Sequence, residues 1–523
     1  MLRPLKNIKY FICIKKSGQF SNEWYLRNNP DVNEVFQNSF WHKLDLKRIP
    51  VISKFAKYMA HPLRHYIKHG SIEHRKPTIF FDADAYCSKY SDVDAKVIDP
   101  FYHYLKYGIK EGRICDFNTH DFSTNTHIIP QQKTVFARPS ELLVQNFRDL
   151  QPIQFFMSRD SQFLPRLNFI TDALGKSLLG GVGTALILAS QYATKNNLIL
   201  RLITRHSPTN LSDYFGFMKM MDEPVPKMVE CWSDYDRGTA GEYNYRLEIS
   251  PKDEFFTTSW WTTAAVKSMN LKNKIFYIIQ EVEPFFYPYG DEHLWCSWQM
   301  NLSEVCYIVN SRWLWDYLSK YYPNVCRNGI YFEPAFPKHL YAPGSSKNKS
   351  KRNLFFYARE SNKRNLYYTG LSVLDEAFQR GILKPEDWNI FFAGNSTQCI
   401  EFSNGTRAST LGQMSWNDYS KFLKTVDLTF SLMYTPHPSY PPLDTIASGG
   451  VCVTNSFENK NGNLFCENVI FGDLTIDGLC VALQKGIQLV ADEKQRERNY
   501  QNSSLPTSWA KSFKKTIKFM EDF

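Results

Sequence analysis

Leu428-Thr-Phe-Ser-Leu-Met-Tyr-Thr-Pro-His-Pro-Ser-Tyr-Pro-Pro-Leu-Asp-Thr-Ile-Ala-Ser-Gly-Gly-Val-Cys-Val-Thr-Asn455 is the stretch that decides the fold. An apolar strand ends near Leu432, prolines stiffen the loop that follows, and a short helix opens near Pro442. Proline suits a helix start because the first N–H groups of a helix have no partner inside it. Gly449 and Gly450 close the helix ahead of a second apolar strand at 451–454. Strand, helix and strand in so short a span is the unit from which parallel sheets are built.

Working outward, the same alternation recurs. Apolar runs at 167–171, 198–204, 274–280, 305–310, 353–358 and 389–393 are separated by helical stretches, which predicts parallel sheets with helices on both faces. The run Pro334-Ala-Phe-Pro-Lys-His-Leu-Tyr-Ala-Pro-Gly-Ser-Ser-Lys-Asn-Lys-Ser-Lys351 marks a junction between two such sheets. The α/β part therefore divides into Rossmann-like domains at 161–340 and 341–500, with a terminal helix at 501–523. That helix alternates aromatic and basic residues. Packing back on the first domain is the preferred reading, and grazing a membrane is the other.

Open parallel sheets bind ligands at the carboxyl ends of their strands, so the loops there carry the candidate chemistry. Gly180-Gly-Val-Gly183 enters a helix, and Gly181 and Gly183 would let the backbone approach an anion. A turn needed only for tight packing fits the same residues, which match neither GxGxxG nor a Walker pattern. Glu281 and Glu283 follow the 274–280 strand among aromatics, placed to hold a sugar hydroxyl or to act at a reacting centre, or else to cap a helix or pair with lysines. Arg359, Lys363 and Arg364 follow the 353–358 strand, where cations suit a diphosphate and the charge that develops as it departs. In the opening stretch Ser439, Tyr440, Leu443 and Asp444 lie at the helix start, with amides for a phosphate and a carboxylate for a ribose or deoxyribose hydroxyl.

Ahead of the sheets lies a repeat spanning 1–115. Phe20-Ser-Asn-Glu-Trp-Tyr-Leu-Arg-Asn-Asn-Pro-Asp-Val32 aligns with Phe81-Asp-Ala-Asp-Ala-Tyr-Cys-Ser-Lys-Tyr-Ser-Asp-Val93, and Pro62-Leu-Arg-His-Tyr-Ile-Lys-His-Gly70 with Pro100-Phe-Tyr-His-Tyr-Leu-Lys-Tyr-Gly108. The copies run over about 20–75 and 81–113, each predicted as a pair of short helices. His65 and His103 sit on aromatic helix faces and read as packed residues, and Asp82-Ala-Asp84 as a coincidental DxD. Residues 116–160 are polar and aperiodic, and are expected to be a linker.

The bulk properties exclude several classes. At 523 residues, 43% hydrophobic and 15% aromatic, the chain can close more than one core, but it contains no apolar run long enough to cross a bilayer. Eleven scattered cysteines form no CxxC pair, which argues for reduced thiols and for no structural zinc. The basic N-terminal stretch, apolar only from Tyr10 to Ile14 with no small-residue cleavage site after it, leads to the expectation of a cytoplasmic chain. A net charge of +10 suits a phosphate-bearing substrate or anionic headgroups, and equally mere solubility; no nucleic-acid reading motif accompanies it.

Four ordered segments carry a resemblance: the 431–444 run, Val453-Thr-Asn-Ser-Phe-Glu-Asn-Lys460, Phe356-Tyr-Ala-Arg359 and the 280–291 loop. Together they resemble the WsaF-type rhamnosyltransferases of glycosyltransferase family 4 over roughly 165–500, and the repeat resembles one found beside bacterial glycosyltransferases. The resemblance implies a GT-B fold of two Rossmann-like domains facing across a cleft. It implies a retaining, metal-independent hexosyl transfer from a nucleotide sugar, dTDP-L-rhamnose, with no further cofactor. The acceptor is a glycan, either a cell-surface polysaccharide such as O-antigen or a lipid-linked precursor. Contact with the inner membrane or with other polysaccharide-assembly enzymes is expected. Arg359 is implied at the donor diphosphate, 439–444 at the nucleotide, and Glu281 beside the sugar or acceptor. Asp444 stands where the family generally has Glu, and the family's other glutamate falls on Pro436. Another nucleotide-sugar donor, or a non-catalytic carbohydrate-binding scaffold, are the alternatives.

Overall fold

The computed structural model describes residues 3–38, 61–78, 81–113, 138–158, 164–175, 180–234, 246–344, 350–394, 398–462 and 465–523. The chain forms two compact units, 1–135 and 136–523.

The first unit uses one small motif twice. In each copy a short helix (Asn22–Arg27, Ala83–Lys89) is joined by a proline-opened helix (Pro62–His65, Pro100–His103) that widens into a π-helical turn (Tyr66–Gly70, Tyr104–Gly108). The buried Tyr25 hydroxyl lies 3.1 Å from His65 Nδ1, and that of Tyr86 lies 3.2 Å from His103 Nδ1. Each hydroxyl rests on the closing glycine: a Cβ on Gly70 would stand 2.3 Å from Tyr25 Oη, and one on Gly108 2.4 Å from Tyr86 Oη. Arg75 grips Asp31 and Glu73, and Arg113 grips Asp92 and Glu111. The shared histidines are thus hydrogen-bonded packing groups. Asp82 caps the Ala83–Lys89 helix and Asp84 pairs with His74, so each carboxylate of the nominal DxD has a local structural partner.

In the second unit, a seven-stranded parallel sheet is built from β2 (Arg166–Thr171), β3 (Ile199–Thr204), β4 (Val229–Ser233), β6 (Glu254–Thr257), β7 (Ile275–Ile279), β8 (Cys306–Asn310) and β9 (Gly329–Phe332), in the order 4-3-2-6-7-8-9. A six-stranded parallel sheet follows from β10 (Arg352–Tyr357), β11 (Trp388–Ala393), β12 (Ser409–Gly412), β13 (Leu428–Phe430), β14 (Val451–Asn455) and β15 (Val469–Gly472), ordered 12-11-10-13-14-15. Central strands such as β2, β7 and β14 are buried along their whole length, as strands covered on both faces must be.

The expected linker is corrected by the structure. Residues 116–137 lie outside the described residues, but Pro139–Asn146 is a helix and β1 (Phe155–Met157) pairs in parallel with β5 (Leu247–Ile249). Ile153 is fully buried in the core beneath the first sheet, so this segment is built into the domain. Its polar composition hid that, because a three-residue strand carries no periodic signal. The Trp509–Asp522 helix buries Trp509, Phe513, Ile517 and Met520 in the cluster that also holds the inner face of the Gly180–Lys195 helix. Phe513 meets Phe332 of β9 edge to face at 5.0 Å, so the terminal helix packs on the first sheet domain. No described helix is long and apolar enough to cross a membrane.

Candidate functional site

A cavity opens at the carboxyl ends of β10 and β11, lined by aromatic and polar side chains. Phe355, Tyr357 and Arg359 come from β10 and its end, Ala393 and Gly394 from the end of β11, Trp416 and Tyr419 from the Trp416–Leu423 helix, and Tyr440, Pro441 and Asp444 from the Tyr440–Ala447 helix. Gly180 closes it from the first sheet domain. Gly394 is required here: its φ is +148°, and a Cβ would lie 1.8 Å from Ala358 O and 3.2 Å from Arg359 Cγ. That close approach lets the β11 end pass the arginine. Among the described residues no salt bridge engages Arg359; its Nη1 stands at 3.5 Å from Tyr357 Oη, and its charge opposes that of nearby Arg364. The Arg359 guanidinium, at the cavity wall, suits an anion.

Asp444 is the cavity's buried acid. Tyr419 donates to its Oδ2 at 3.2 Å, while Oδ1 is buried with no hydrogen-bond partner among the described residues. Burial pushes the carboxyl up to about 7, opposed by the neighbouring Tyr419 and Tyr341 hydroxyls. A carboxyl raised on folding favours the folded state while protonated; that contribution is complete below the unfolded value of 3.8 and is lost as the pH rises through about 7. Thermal melts should therefore show the parent losing stability relative to Asp444→Asn between about pH 4 and 7. A difference that does not change with pH would mean Asp444 is ionised throughout.

Tyr440 docks across the cleft. Its hydroxyl accepts from Asn310 Nδ2 at 2.8 Å and hydrogen-bonds Thr184, while a Cβ on Gly180 would come within 3.0 Å of its ring. Ser439 before it holds φ +67° and donates its N–H to His437 Nδ1 at 3.0 Å. Three expectations are corrected here. Pro441 and Pro442 lack N–H groups, so this helix start offers fewer donors to a phosphate than expected. Leu443 is 1% exposed in the apolar cluster beneath the helix and does not line the cavity. Lys363 is exposed and does not line the cavity.

The glycine turn is corrected too. A Cβ on Gly183 would meet the Phe217 ring at 2.8 Å, which makes that glycine a packing residue. Gly181 presents its carbonyl to Gln280 Nε2 at 2.6 Å, and Gly180 is the turn residue that faces the cavity.

A second cluster bridges the domains. Glu281 follows β7 and lies 2.9 Å from Arg364 Nη1, though that nitrogen is not aligned for a hydrogen bond. Thr435 donates to the same carboxylate oxygen at 3.3 Å. Burial pushes Glu281 up, opposed by the positive charge of Arg364. Lys460 is fully buried, donates to Met433 O, and is pushed down to about 7 by burial, with Glu281 pulling the other way. His437, beside them, is pushed down to about 3 by burial and then by Lys460, so it is neutral; its Nε2 has no partner among the described residues. Lys460 and His437 escaped the sequence reading although both lie in its quoted segments, because a lone Lys or His in a loop carries no burial signal. Glu283 feels the charges of Glu281 and Arg364, but its hydrogen bond lies elsewhere. It accepts from the Trp260 backbone N–H at 2.7 Å and caps the Trp260–Lys267 helix, and burial pushes it up to about 8. That hydrogen bond gives Glu283 a structural role.

Residues 352–484 match the family model described as WsaF, C-terminal domain. A stretch of 243 residues is 24% identical to the O-antigen biosynthesis protein RfbC of Myxococcus xanthus, covering 46% of this chain and 18% of that protein's length. Among solved structures, a mutant of S. aureus TarM in complex with Fondaparinux, alpha-GlcNAc-glycerol and UDP superposes with a TM-score of 0.51 at 7% identity, over 68% of this chain and all (100%) of that one. Anabaena Alr3699/HepE in complex with UDP gives 0.48 at 11% identity, over 68% and 100%. Two parallel Rossmann-like domains facing across a cleft thus make this a GT-B fold, whose residues 352–484 match the WsaF C-terminal domain model.

Proposed function

We propose that the chain is a glycosyltransferase of polysaccharide biosynthesis that moves a hexosyl group from a nucleoside diphosphate sugar to a glycan hydroxyl, with L-rhamnose on dTDP as the donor its WsaF-type segments suggest. The observation that carries this is the cavity joining Arg359, an unpartnered buried oxygen of Asp444 and aromatic walls at the carboxyl ends of β10 and β11. Aromatic side chains take a base and sugar faces, the acid takes a hydroxyl, and the guanidinium groups of Arg359 and Arg364 take the diphosphate. The acceptor oxygen bonds to the anomeric carbon as the bond from that carbon to the diphosphate oxygen breaks. The electron pair leaves with the nucleoside diphosphate, and the acceptor proton passes to the departing phosphate oxygen. The acceptor attacks on the face that the diphosphate leaves, so configuration at the anomeric carbon is retained, and the Arg359 and Arg364 guanidinium groups supply the charge neutralisation without a metal. The acceptor is a surface polysaccharide or its lipid-linked precursor.

The test is to incubate the full chain with dTDP- and UDP-sugars and measure nucleoside diphosphate release with and without glycan, in the presence of EDTA. Release from dTDP-L-rhamnose, stimulated by glycan, is expected. Silence with every donor from a folded protein would favour a carbohydrate-binding scaffold.

A further inference from the structure

The first unit carries a face that its own core leaves uncovered. Its opening helix, Arg3–Ser17, turns Tyr10, Phe11 and Ile14 inward, and the Tyr10 ring rests 4.2 Å from that of Tyr102 in the Pro100–His103 helix. A rotation of about 100° per residue centres the opposite face on Ile8 and Ile12, with Lys9 and Lys16 beside them. A helix on a protein surface ordinarily turns polar residues outward. Here the two isoleucines, one turn apart, are 44% and 49% exposed. They share a shallow concavity with Lys9, Lys106 and Lys110, and no carboxylate lines it. Lys106 belongs to the Tyr104–Gly108 turn of the second repeat copy and stands 5.6 Å over the half-exposed Tyr107 ring. Two segments distant in sequence thus build one face that is both apolar and basic.

Basicity alone would serve solubility, and exposed isoleucines alone would serve a protein partner of any charge. Their combination fits an anionic lipid surface. Lysine stems lie along apolar groups while their ammonium groups reach phosphates, aliphatic side chains enter the boundary below the headgroups, and tyrosine sits at headgroup level. We propose that this face docks the first unit on an anionic phospholipid membrane, with Ile8 and Ile12 inserted and Lys9, Lys106 and Lys110 on the lipid phosphates. The inference rests on this face alone and is independent of the transferase reading.

The experiment is flotation of the full chain with vesicles of phosphatidylcholine, and with vesicles of phosphatidylcholine mixed with phosphatidylglycerol. Only the mixed vesicles should carry the protein, and added salt should weaken the binding. The pair Lys9→Gln with Lys110→Gln should weaken it about 25-fold, fivefold for each lysine. Ile8→Ser with Ile12→Ser should weaken it about tenfold. A control pair on the Trp509–Asp522 helix, Lys514→Gln with Lys515→Gln, should bind as the parent does. Lys9 and Lys110 are exposed, so the lysine pair tests the face even if the serine pair fails to fold. No binding to the mixed vesicles, equal binding to both compositions, or binding that either pair on this face leaves untouched in a folded protein would overturn the proposal. A parent that sediments as a dimer, and that the serine pair makes monomeric, would also overturn it, because a second copy would then cover the face.

Discussion

An Arg359→Ala variant is expected to turn over about ten- to a hundredfold more slowly than its parent, the loss that goes with one charge-assisted contact to a diphosphate. Its folding should hardly change. Among the described residues Arg359 serves no salt bridge, and its hydrogen bond to Tyr357 is at the 3.5 Å limit, so truncation strands no buried partner. Steady-state kinetics with a nucleotide-sugar donor and a thermal melt check both halves. Unchanged turnover would remove Arg359 from the donor site, and a large drop in the melting midpoint would make it a structural residue.

The larger effect on stability should come from Glu281→Ala. Glu281 is the carboxylate that Arg364 and Lys460 share in a nearly dry space between the two sheet domains. Removing it leaves buried positive charge without a counter-ion, a change that costs about 3–5 kcal/mol in comparable buried pairs. Denaturant unfolding of the full chain should register a loss of that order, and Glu281→Gln should recover part of it by keeping the hydrogen bond from Thr435. A cost below about 1 kcal/mol for the alanine variant would mean that water or displacement of Arg364 compensates, and the cluster would not couple the domains.

The fold was legible where strands are long, apolar and central. The runs at 167–171, 274–280 and 451–454 were read from the sequence and form β2, β7 and β14. Strands that went unread are short, polar or at edges: β6 is the four residues Glu254–Thr257, although it lies between β2 and β7, and β4 and β12 are partly exposed edge strands. A strand that short has no period to detect, and its place comes from neighbours distant in sequence. The site was legible in part. Arg359, Tyr440 and Asp444 were picked by their position after apolar strands, and the structure brings them to one cavity. Position alone could not separate Glu281, which meets Arg364 across the cleft, from Glu283, two residues on, which caps a helix. Such pairings are set by tertiary packing, which leaves no local trace in the sequence.

The central claim is that the carboxyl ends of β10 and β11 hold the nucleoside diphosphate. A crystal structure of the full chain soaked with dTDP or UDP tests it most directly. The account predicts the nucleoside among Tyr357, Trp416, Tyr419 and Asp444, with the diphosphate against the Arg359 guanidinium. A nucleotide seated elsewhere, or that cavity empty at saturating ligand, would contradict it.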